Sequence, residues 1–196
     1  MKIPRFAFLF VISAVLVFAG TVNFDEFTSP PVTCCYGDTG VIGPLVYPDV
    51  TITDASNLGY VMNGSGWQDL ETSPHNLFGT ESGSMSLTFN TTVSNFALDL
   101  INGTNAADFT FKLLDASNNV IGTYTQSVDS FWSGAAVYHF APGDSGIMSV
   151  LITGNLDFAI DTVTWNQASG VPEPATLGLI GAALSGLGLL RLRRRA

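Results

Sequence analysis

Apolar and polar residues alternate along the middle of the chain, and this period of two constrains the fold more than any other feature. It is clearest in residues 84–89 (SMSLTF), 95–100 (NFALDL) and 109–114 (FTFKLL). Such alternation indicates strands with one buried face, and no longer window shows helical periodicity. Gly, Asn and Asp separate the segments at intervals typical of a β-sandwich or jelly roll. We therefore predict one all-β domain, a jelly-roll-like β-sandwich, at residues 21–170.

The last predicted strand has an irregular pattern. Phe158 and Ile160 share one face of it, whereas Val163 and Trp165 share the other. A β-bulge near residues 161–162 would return both pairs to the core. Further strands are predicted at 120–128, 135–140 and 147–153, with a loop-rich region at 28–80 that holds short edge strands at 50–53 and 58–62.

Charge is scarce and one-sided in the predicted domain. Charged residues make up 12% of the whole chain, against about 25% in an ordinary soluble protein. Residues 21–170 contain fifteen acids and a single base, Lys112, which gives a formal charge of −14. Such a domain repels phosphate groups, so nucleic-acid binding is excluded.

The cysteines are two adjacent residues, Cys34 and Cys35. Two cysteines exclude a disulfide-rich scaffold. In an oxidising compartment adjacent thiols can close a strained vicinal disulfide, carry a cap, or pair with another chain. The sequence leaves these alternatives open.

The N-terminal segment is predicted to be a secretory signal peptide at residues 1–20. Lys2 and Arg5 precede an apolar run that ends in the small-residue site Val17-Phe18-Ala19. This order of a basic region, an apolar region and a small residue is what a signal peptidase recognises. The rest of the chain is therefore expected to be exported.

The C-terminal segment, residues 171–196, is apolar and then basic. No charge occurs in residues 177–190, and we predict a short transmembrane helix at about 175–190. Positive residues next to such a helix stay in the cytoplasm. The basic tail, residues 191–195, contains Arg191, Arg193, Arg194 and Arg195.

The motif Pro172-Glu173-Pro174 precedes this helix and the basic tail. In that order, the three parts resemble the PEP-CTERM sorting signal of exopolysaccharide-producing Gram-negative bacteria. The resemblance implies recognition by an exosortase, with a transient inner-membrane anchor and cleavage near the motif. The product is then released or transferred to the cell surface or extracellular matrix.

The domain is similar to the galactose-binding-like jelly-roll ectodomains of PEP-CTERM proteins. The likeness is carried by Phe24-Asp25 in an opening strand at 22–27 and by residues 160–165 (IDTVTW) in a closing strand. If the first and last strands pair at one edge, Asp25, Glu26 and Asp161 could approach each other and hold Ca²⁺ with backbone carbonyls. The alternative is that these acids are scattered and solvated.

Three aromatic residues are candidates for binding sugar rings. Trp67, Phe131 and Trp132 would form a stacking platform if they are exposed, and core packing is the alternative. No catalytic motif with its partners occurs in the sequence. We therefore expect a non-enzymatic surface or matrix protein that binds polysaccharide or other matrix components. The alternatives are a structural or adhesive module without a glycan ligand, and a glycan hydrolase that uses two carboxylates.

Overall fold

Antiparallel β-strands form the regular structure of the protein. The computed structural model describes residues 19–28, 43–57, 59–67 and 69–167. These ranges contain two short 3₁₀ turns, Gly64–Trp67 and Phe131–Ser133, and no α-helix. The strands are β1 (Ala19–Val22), β2 (Leu45–Val46), β3 (Val50–Asp54), β4 (Tyr60–Asn63), β5 (Asn76–Thr80), β6 (Ser84–Asn102), β7 (Ala107–Leu114), β8 (Val120–Val128), β9 (Val137–Phe140), β10 (Ser145–Thr153) and β11 (Phe158–Gln167).

The strands form a sandwich of two sheets that share β6. Sheet 1 has the order β4-β5-β11-β6-β9, and β1 adds to the second half of β11. Sheet 2 has the order β2-β3-β6-β10-β7-β8. The first half of β6 pairs with β3 and β10, and its second half pairs mainly with β11 and β9. The prediction of an all-β sandwich is confirmed.

β6 joins two segments that the sequence analysis treats as separate strands. Its 19 residues span both predicted segments and the intervening residues 90–94 (NTTVS). Threonine and valine favour extended backbone, so the chain has no reason to turn there. A positive φ of 49° at Asn95 and shifts in the pairing with β10 mark the transition between the sheets.

Aromatic rings fill the core between the sheets. Phe109, Phe111 and Leu113 are fully buried, as the alternation in β7 predicts. The rings of Phe111 and Phe140 stack with centroids 4.1 Å apart and an interplanar angle of 14°. Phe140 also packs edge-on against Phe96, with centroids 6.2 Å apart. Sheet 2 is thereby joined to β9 of sheet 1.

The predicted bulge in β11 is confirmed. The pairing with β6 shifts between Asp161 and Thr164, and Thr162 has a φ of 44°. The extra residue turns the strand so that both apolar pairs reach the interior. Phe158, Ile160, Val163 and Trp165 are all buried.

The opening strand differs from the prediction. β1 contains Ala19–Val22, and residues 23–27 form a turn in which Phe24 has a φ of 62°. The turn directs the Phe24 ring into the core, where it stacks on Phe78 with centroids 5.8 Å apart. The predicted strand at 22–27 is therefore wrong beyond Val22, because burying this ring requires the backbone to leave the extended conformation.

Two strands were missed and several predictions cannot be compared. β2 and β5 lie in the region predicted to be loop-rich, outside the two short strands predicted there, and all five residues of β5 are buried. Residues 1–18, Cys34, Cys35 and the C-terminal segment lie outside the described residues. In the ranges that are described, no helix is long and apolar enough to cross a membrane. The boundary of the signal peptide stays a prediction.

The stacked ring of Phe140 supplies the first test of this core. Phe140→Ala should lower the free energy of unfolding by about 3 to 5 kcal/mol, because it leaves a cavity between the sheets. Val137→Ala, in the same short strand, should cost less than about 1 kcal/mol, because Val137 is 38% exposed. Urea unfolding of the two variants measures both values. Equal losses would contradict the described packing.

Candidate functional site

The outer face of sheet 1 carries a second apolar cluster, separate from the core. Register places Tyr60, Gly79, Ala159, Ile101 and Val137 side by side across the five strands. The small residues in this row leave room above the sheet. A Cβ at Gly79 would lie 2.2 Å from Met62 Cε, so the methionine side chain occupies the space over the glycine.

Trp67 belongs to this outer cluster. It lies in the 3₁₀ turn that follows β4, and its ring packs with Met62, Leu77, Ile101 and Ala159. Only 5% of its surface is exposed. The predicted sugar-stacking role of Trp67 is therefore wrong in its premise of exposure, because the outer face of sheet 1 buries the indole.

Asn102, at the end of β6, organises the loop that carries the other two aromatic residues. Its Nδ2 donates hydrogen bonds to the carbonyls of Asn105, Val128 and Asp129, at 2.9, 2.9 and 3.1 Å. The loop after β8 is held by two further backbone bonds. Phe131 N donates to Gly103 O at 3.0 Å, and Asn102 N donates to Ala136 O at 2.9 Å.

The loop presents one buried and one exposed aromatic ring. Phe131 is buried, and its centroid lies 6.2 Å from that of Trp67. Trp132 packs on Phe131 with centroids 4.1 Å apart, and 69% of its surface is exposed. We call Trp67, Phe131 and Trp132 the aromatic stack. The structure brings the three predicted residues together, but only Trp132 offers its ring to solvent.

Asp161 is the most deeply buried of the three predicted calcium ligands. Its Oδ2 accepts hydrogen bonds from Thr72 N and Ser73 N at 2.8 and 2.7 Å. Its Oδ1 accepts from Ser73 Oγ at 2.8 Å and from Thr162 N at 2.6 Å. The carboxylate thus holds the loop at residues 72–76 on the outer face of sheet 1.

Asp25 holds the other side of the same loop. Its Oδ1 accepts hydrogen bonds from His75 N and Asn76 N at 3.0 and 3.1 Å. Asn76 Nδ2 in turn donates to Phe24 O and Phe27 O, both at 2.9 Å. The turn after β1 and the loop at residues 72–76 are therefore fastened to each other.

Glu26 makes a separate contact. Its Oε1 accepts a hydrogen bond from Tyr47 Oη at 2.6 Å. Burial, together with the bond to the carboxylate and its negative charge, raises the pKa of the Tyr47 hydroxyl well above its usual value. The contact connects the turn after β1 to the segment between β2 and β3.

The calcium hypothesis for Asp25, Glu26 and Asp161 is not supported by this geometry. β1 and β11 do pair, as it required. Each carboxylate, however, accepts bonds from N–H or hydroxyl groups through at least one oxygen, and Asp25 Oδ2 is buried without a hydrogen-bond partner. The described residues contain no group of three or more His, Cys, Asp and Glu that could hold a metal ion. Calcium needs six to eight oxygen ligands. In this structure the carboxylate oxygens accept hydrogen bonds that anchor loops.

A second polar pair lies on the outer face of sheet 1 beside Asp161. Asp99 is the register partner of both Asp161 in β11 and His139 in β9. Its Oδ1 lies 2.7 Å from His139 Nδ1, and the imidazole is largely exposed. Sequence reasoning missed the importance of Asp99, since only the strand pairing brings it to residues 40 and 62 positions away.

Comparison with known proteins identifies the C-terminal segment. Residues 170–195 match the model of the PEP-CTERM protein-sorting motif. The chain carries a PEP-CTERM sorting signal. The signal implies an exported protein with an exosortase as its processing partner, and the predicted PEP-CTERM sorting signal is confirmed over residues 170–195. No curated protein matches the chain.

Solved structures similar to this protein are distant in sequence. A xylan-binding domain from CBM 22 matches at 13% identity and a TM-score of 0.37, covering 65% of this chain and 92% of that domain. Tailspike protein 4 of bacteriophage CBA120 matches at 14% and 0.29, covering 76% and 19%. An arabinose-bound GH51 α-L-arabinofuranosidase matches at 12% and 0.32, covering 66% and 27%.

The anchoring role of Asp161 is testable by stability. Asp161→Asn should lower the free energy of unfolding by about 2 to 3 kcal/mol, because an amide nitrogen would face buried N–H donors. Glu26→Gln is the control, since Glu26 is exposed and its amide still accepts the Tyr47 bond. Urea unfolding with and without Ca²⁺ measures both. Stabilisation of the parent by Ca²⁺ that Asp161→Asn abolishes would restore the metal hypothesis.

Proposed function

We propose that the β-sandwich of this exported protein is a non-catalytic module that binds polysaccharide at the cell surface or in the extracellular matrix. The observation that carries the proposal is the aromatic stack, with Trp132 exposed on a buried aromatic base. Tryptophan combines a large apolar ring with a polar N–H group and is enriched at interfaces, so an exposed ring held on a buried aromatic base is a candidate binding surface.

The aromatic stack suits the chemistry of a sugar ring. One face of a pyranose presents C–H groups, which pack against an indole, while its hydroxyls remain at the rim for water and polar side chains. Trp132 is positioned for this by Phe131 beneath it and by the bonds of Asn102 to the loop. A ring that is already fixed loses little side-chain entropy on binding. Asp129, exposed beside the stack, supplies a carboxylate to accept hydroxyl bonds.

The negative charge of the domain limits the class of polysaccharide that it can bind. Lys112 is the one base among the described residues, and it lies in β7 of sheet 2, not in sheet 1. An acidic glycan would meet repulsion across the whole domain. The ligand we propose is therefore a neutral polysaccharide chain.

The carboxylates of sheet 1 support binding without catalysis. A glycoside hydrolase needs two carboxylates free to act on opposite sides of the scissile bond. Asp161 is fully buried and accepts bonds from loop amides, and Asp99 is engaged by His139. Turnover of a neutral polysaccharide by the full chain, lost in Asp99→Asn, would overturn this part of the proposal.

The sorting signal places this module in a route of export. We propose that a signal peptidase removes residues 1–20 and that the helix at about 175–190 holds the protein in the inner membrane of a Gram-negative bacterium. An exosortase then cleaves near Pro172-Glu173-Pro174 and releases the domain toward the surface or the matrix. The arginines at 191–195 keep the tail in the cytoplasm until then.

Trp132→Ala should raise the dissociation constant for a neutral polysaccharide at least about tenfold, because it removes the exposed ring. The measurement is affinity electrophoresis of the full chain in gels that contain glucomannan or xylan, with polygalacturonate as the acidic comparison. The parent should be retarded by a neutral polymer and not by the acidic one.

Two further variants make the binding test specific. Leu156→Ala removes an apolar side chain that is about as exposed as Trp132, and it should leave retardation unchanged. Trp132→Phe keeps an aromatic ring and should retain part of the affinity. Absence of retardation by any polymer, or equal retardation of the parent and Trp132→Ala, would contradict the proposed function.

The sorting signal has its own test. Changing Pro172, Glu173 and Pro174 to alanines should leave export intact, and the uncleaved protein should accumulate in the inner membrane. The reason is that exosortase recognition is lost while the apolar helix and the arginines still anchor the chain. A fractionation blot against an epitope in the β-sandwich measures this.

A charge variant is the comparison for the sorting test. Changing Arg193, Arg194 and Arg195 to glutamates should weaken retention in the inner membrane, because it removes the signal that fixes topology. If the alanine variant is processed like the parent, the C-terminal segment acts as an ordinary anchor and the exosortase step of the proposal fails.

A further inference from the structure

β8 forms a long open edge of sheet 2. Among the described strands it is hydrogen-bonded to β7 alone, and it has nine residues, of which seven are exposed. The other described strands that pair with a single neighbour, β1, β2, β4 and β9, have four residues or fewer. A strand of this length presents a row of backbone N–H and C=O groups to its surroundings.

β8 has one of the features that protect such edges, a shift in its pairing with β7 between Val120 and Gly122, and lacks the others. Natural edge strands are usually blunted by charges, prolines, bulges or short length. The sequence VIGTYTQSV contains no charged residue and no proline. Three of the seven exposed large apolar side chains in the described residues lie in it, namely Val120, Ile121 and Tyr124.

The middle of β8 is held firmly in place. The ring of Tyr124 packs edge-on against Phe140 with centroids 5.5 Å apart, and its hydroxyl donates a hydrogen bond to Asp144. β7 pairs with β8 from Ala107 to Leu114. The open edge is therefore already extended, and a partner strand would not have to order it.

We propose that a second copy of this chain pairs with β8, strand to antiparallel strand, so that two copies form a symmetric dimer. An overlap of residues 122–126, which lie beyond that shift, centres on Tyr124 and sets Thr123 opposite Thr125 of the other copy. Identical antiparallel strands satisfy the two-fold symmetry that closed dimers require.

Charge favours this edge as the place where two acidic domains meet. The domain as a whole repels its own copies, because it carries fifteen acids and one base. β8 is an uncharged segment between Asp115 and Asp129. The next strand inward places Lys112, the sole base of the domain, beside Thr123. Copies that approach along β8 thus bring no charged side chain of that strand face to face, and the nearby carboxylates of Asp108 and Asp144 accept hydrogen bonds from Ser127 and Tyr124.

The dimer would join two copies of the aromatic stack in one particle. Two binding surfaces on one particle increase avidity for a repeating polymer without any new contact to it. The dimer itself rests on the features of β8 alone, so it stands or falls independently of the proposed polysaccharide binding.

The test is sedimentation equilibrium of the full chain in a mild non-ionic detergent over roughly a hundredfold range of concentration. The parent should show a monomer–dimer equilibrium. Thr123→Asp combined with Thr125→Asp places like charges opposite each other across the two-fold axis and should raise the dissociation constant at least about tenfold.

Two further variants separate edge pairing from other causes. Thr123→Lys combined with Thr125→Asp places opposite charges across the axis and should bring the dissociation constant back to within about threefold of the parent. Thr110→Asp adds a charge beside Thr125 on the same face, but in β7, and should leave the constant unchanged. If the chains associated through the C-terminal segment instead, the dissociation constant would be the same for the parent and for all variants, which would contradict pairing through β8.

A parent chain that stays monomeric over the whole concentration range would overturn the proposal. This holds both if β8 remains unpaired and if β8 binds a strand of another protein instead. A dimer that the paired aspartates leave unchanged would also overturn it. Circular dichroism of each variant checks that the β-sandwich is folded.

Discussion

The shared strand β6 is the constraint on which the rest of the structure depends. Both edges of β6 are paired, in its first half with strands of sheet 2 and in its second half mainly with strands of sheet 1. Neither sheet can therefore shift relative to the other without breaking backbone hydrogen bonds to β6. The same strand ends in Asn102, whose amide fixes the loop that carries Trp132. It also presents Asp99 to the outer face of sheet 1. The position of the candidate binding surface is thus set by backbone pairing that begins almost twenty residues earlier.

Asp161 shows how one chemical preference can serve two purposes. A carboxylate in a polar cleft attracts either a cation or a set of N–H donors, and sequence alone does not distinguish them. Here the loop at residues 72–76 supplies most of the donors, and the buried charge is compensated by five hydrogen bonds, including one from the Thr72 hydroxyl and one from Thr162 N. The cost of burying it is offset only while that loop stays in place, so the loop and β11 are expected to unfold together.

The local alternation of apolar and polar residues predicted most strands of the sandwich, but it predicted little about which side chains are exposed on its surface. Alternation located β7, β8 and β10, and the mismatch within residues 158–165 located the bulge, since both depend on neighbours in sequence. The continuity of β6 and the full burial of β5 depend on strands far along the chain. The three residues of the aromatic stack were predicted from the sequence. Whether each ring is buried depends on the outer apolar cluster over Gly79, and the alternation within one strand does not predict such a cluster.

The pairing of β1 with β11 has a mechanical consequence. Val22 lies opposite Val163, so the described domain begins and ends in neighbouring strands of sheet 1. β11 leads directly into the residues of the sorting signal and is bonded to β5 or β1 on one edge and to β6 on the other. A pull on the C-terminus while the protein is anchored would load β11 along its length. Its bonds would then have to fail in shear, many at once, rather than unzip singly. Such a strand resists a force that is applied at the C-terminal end of the domain.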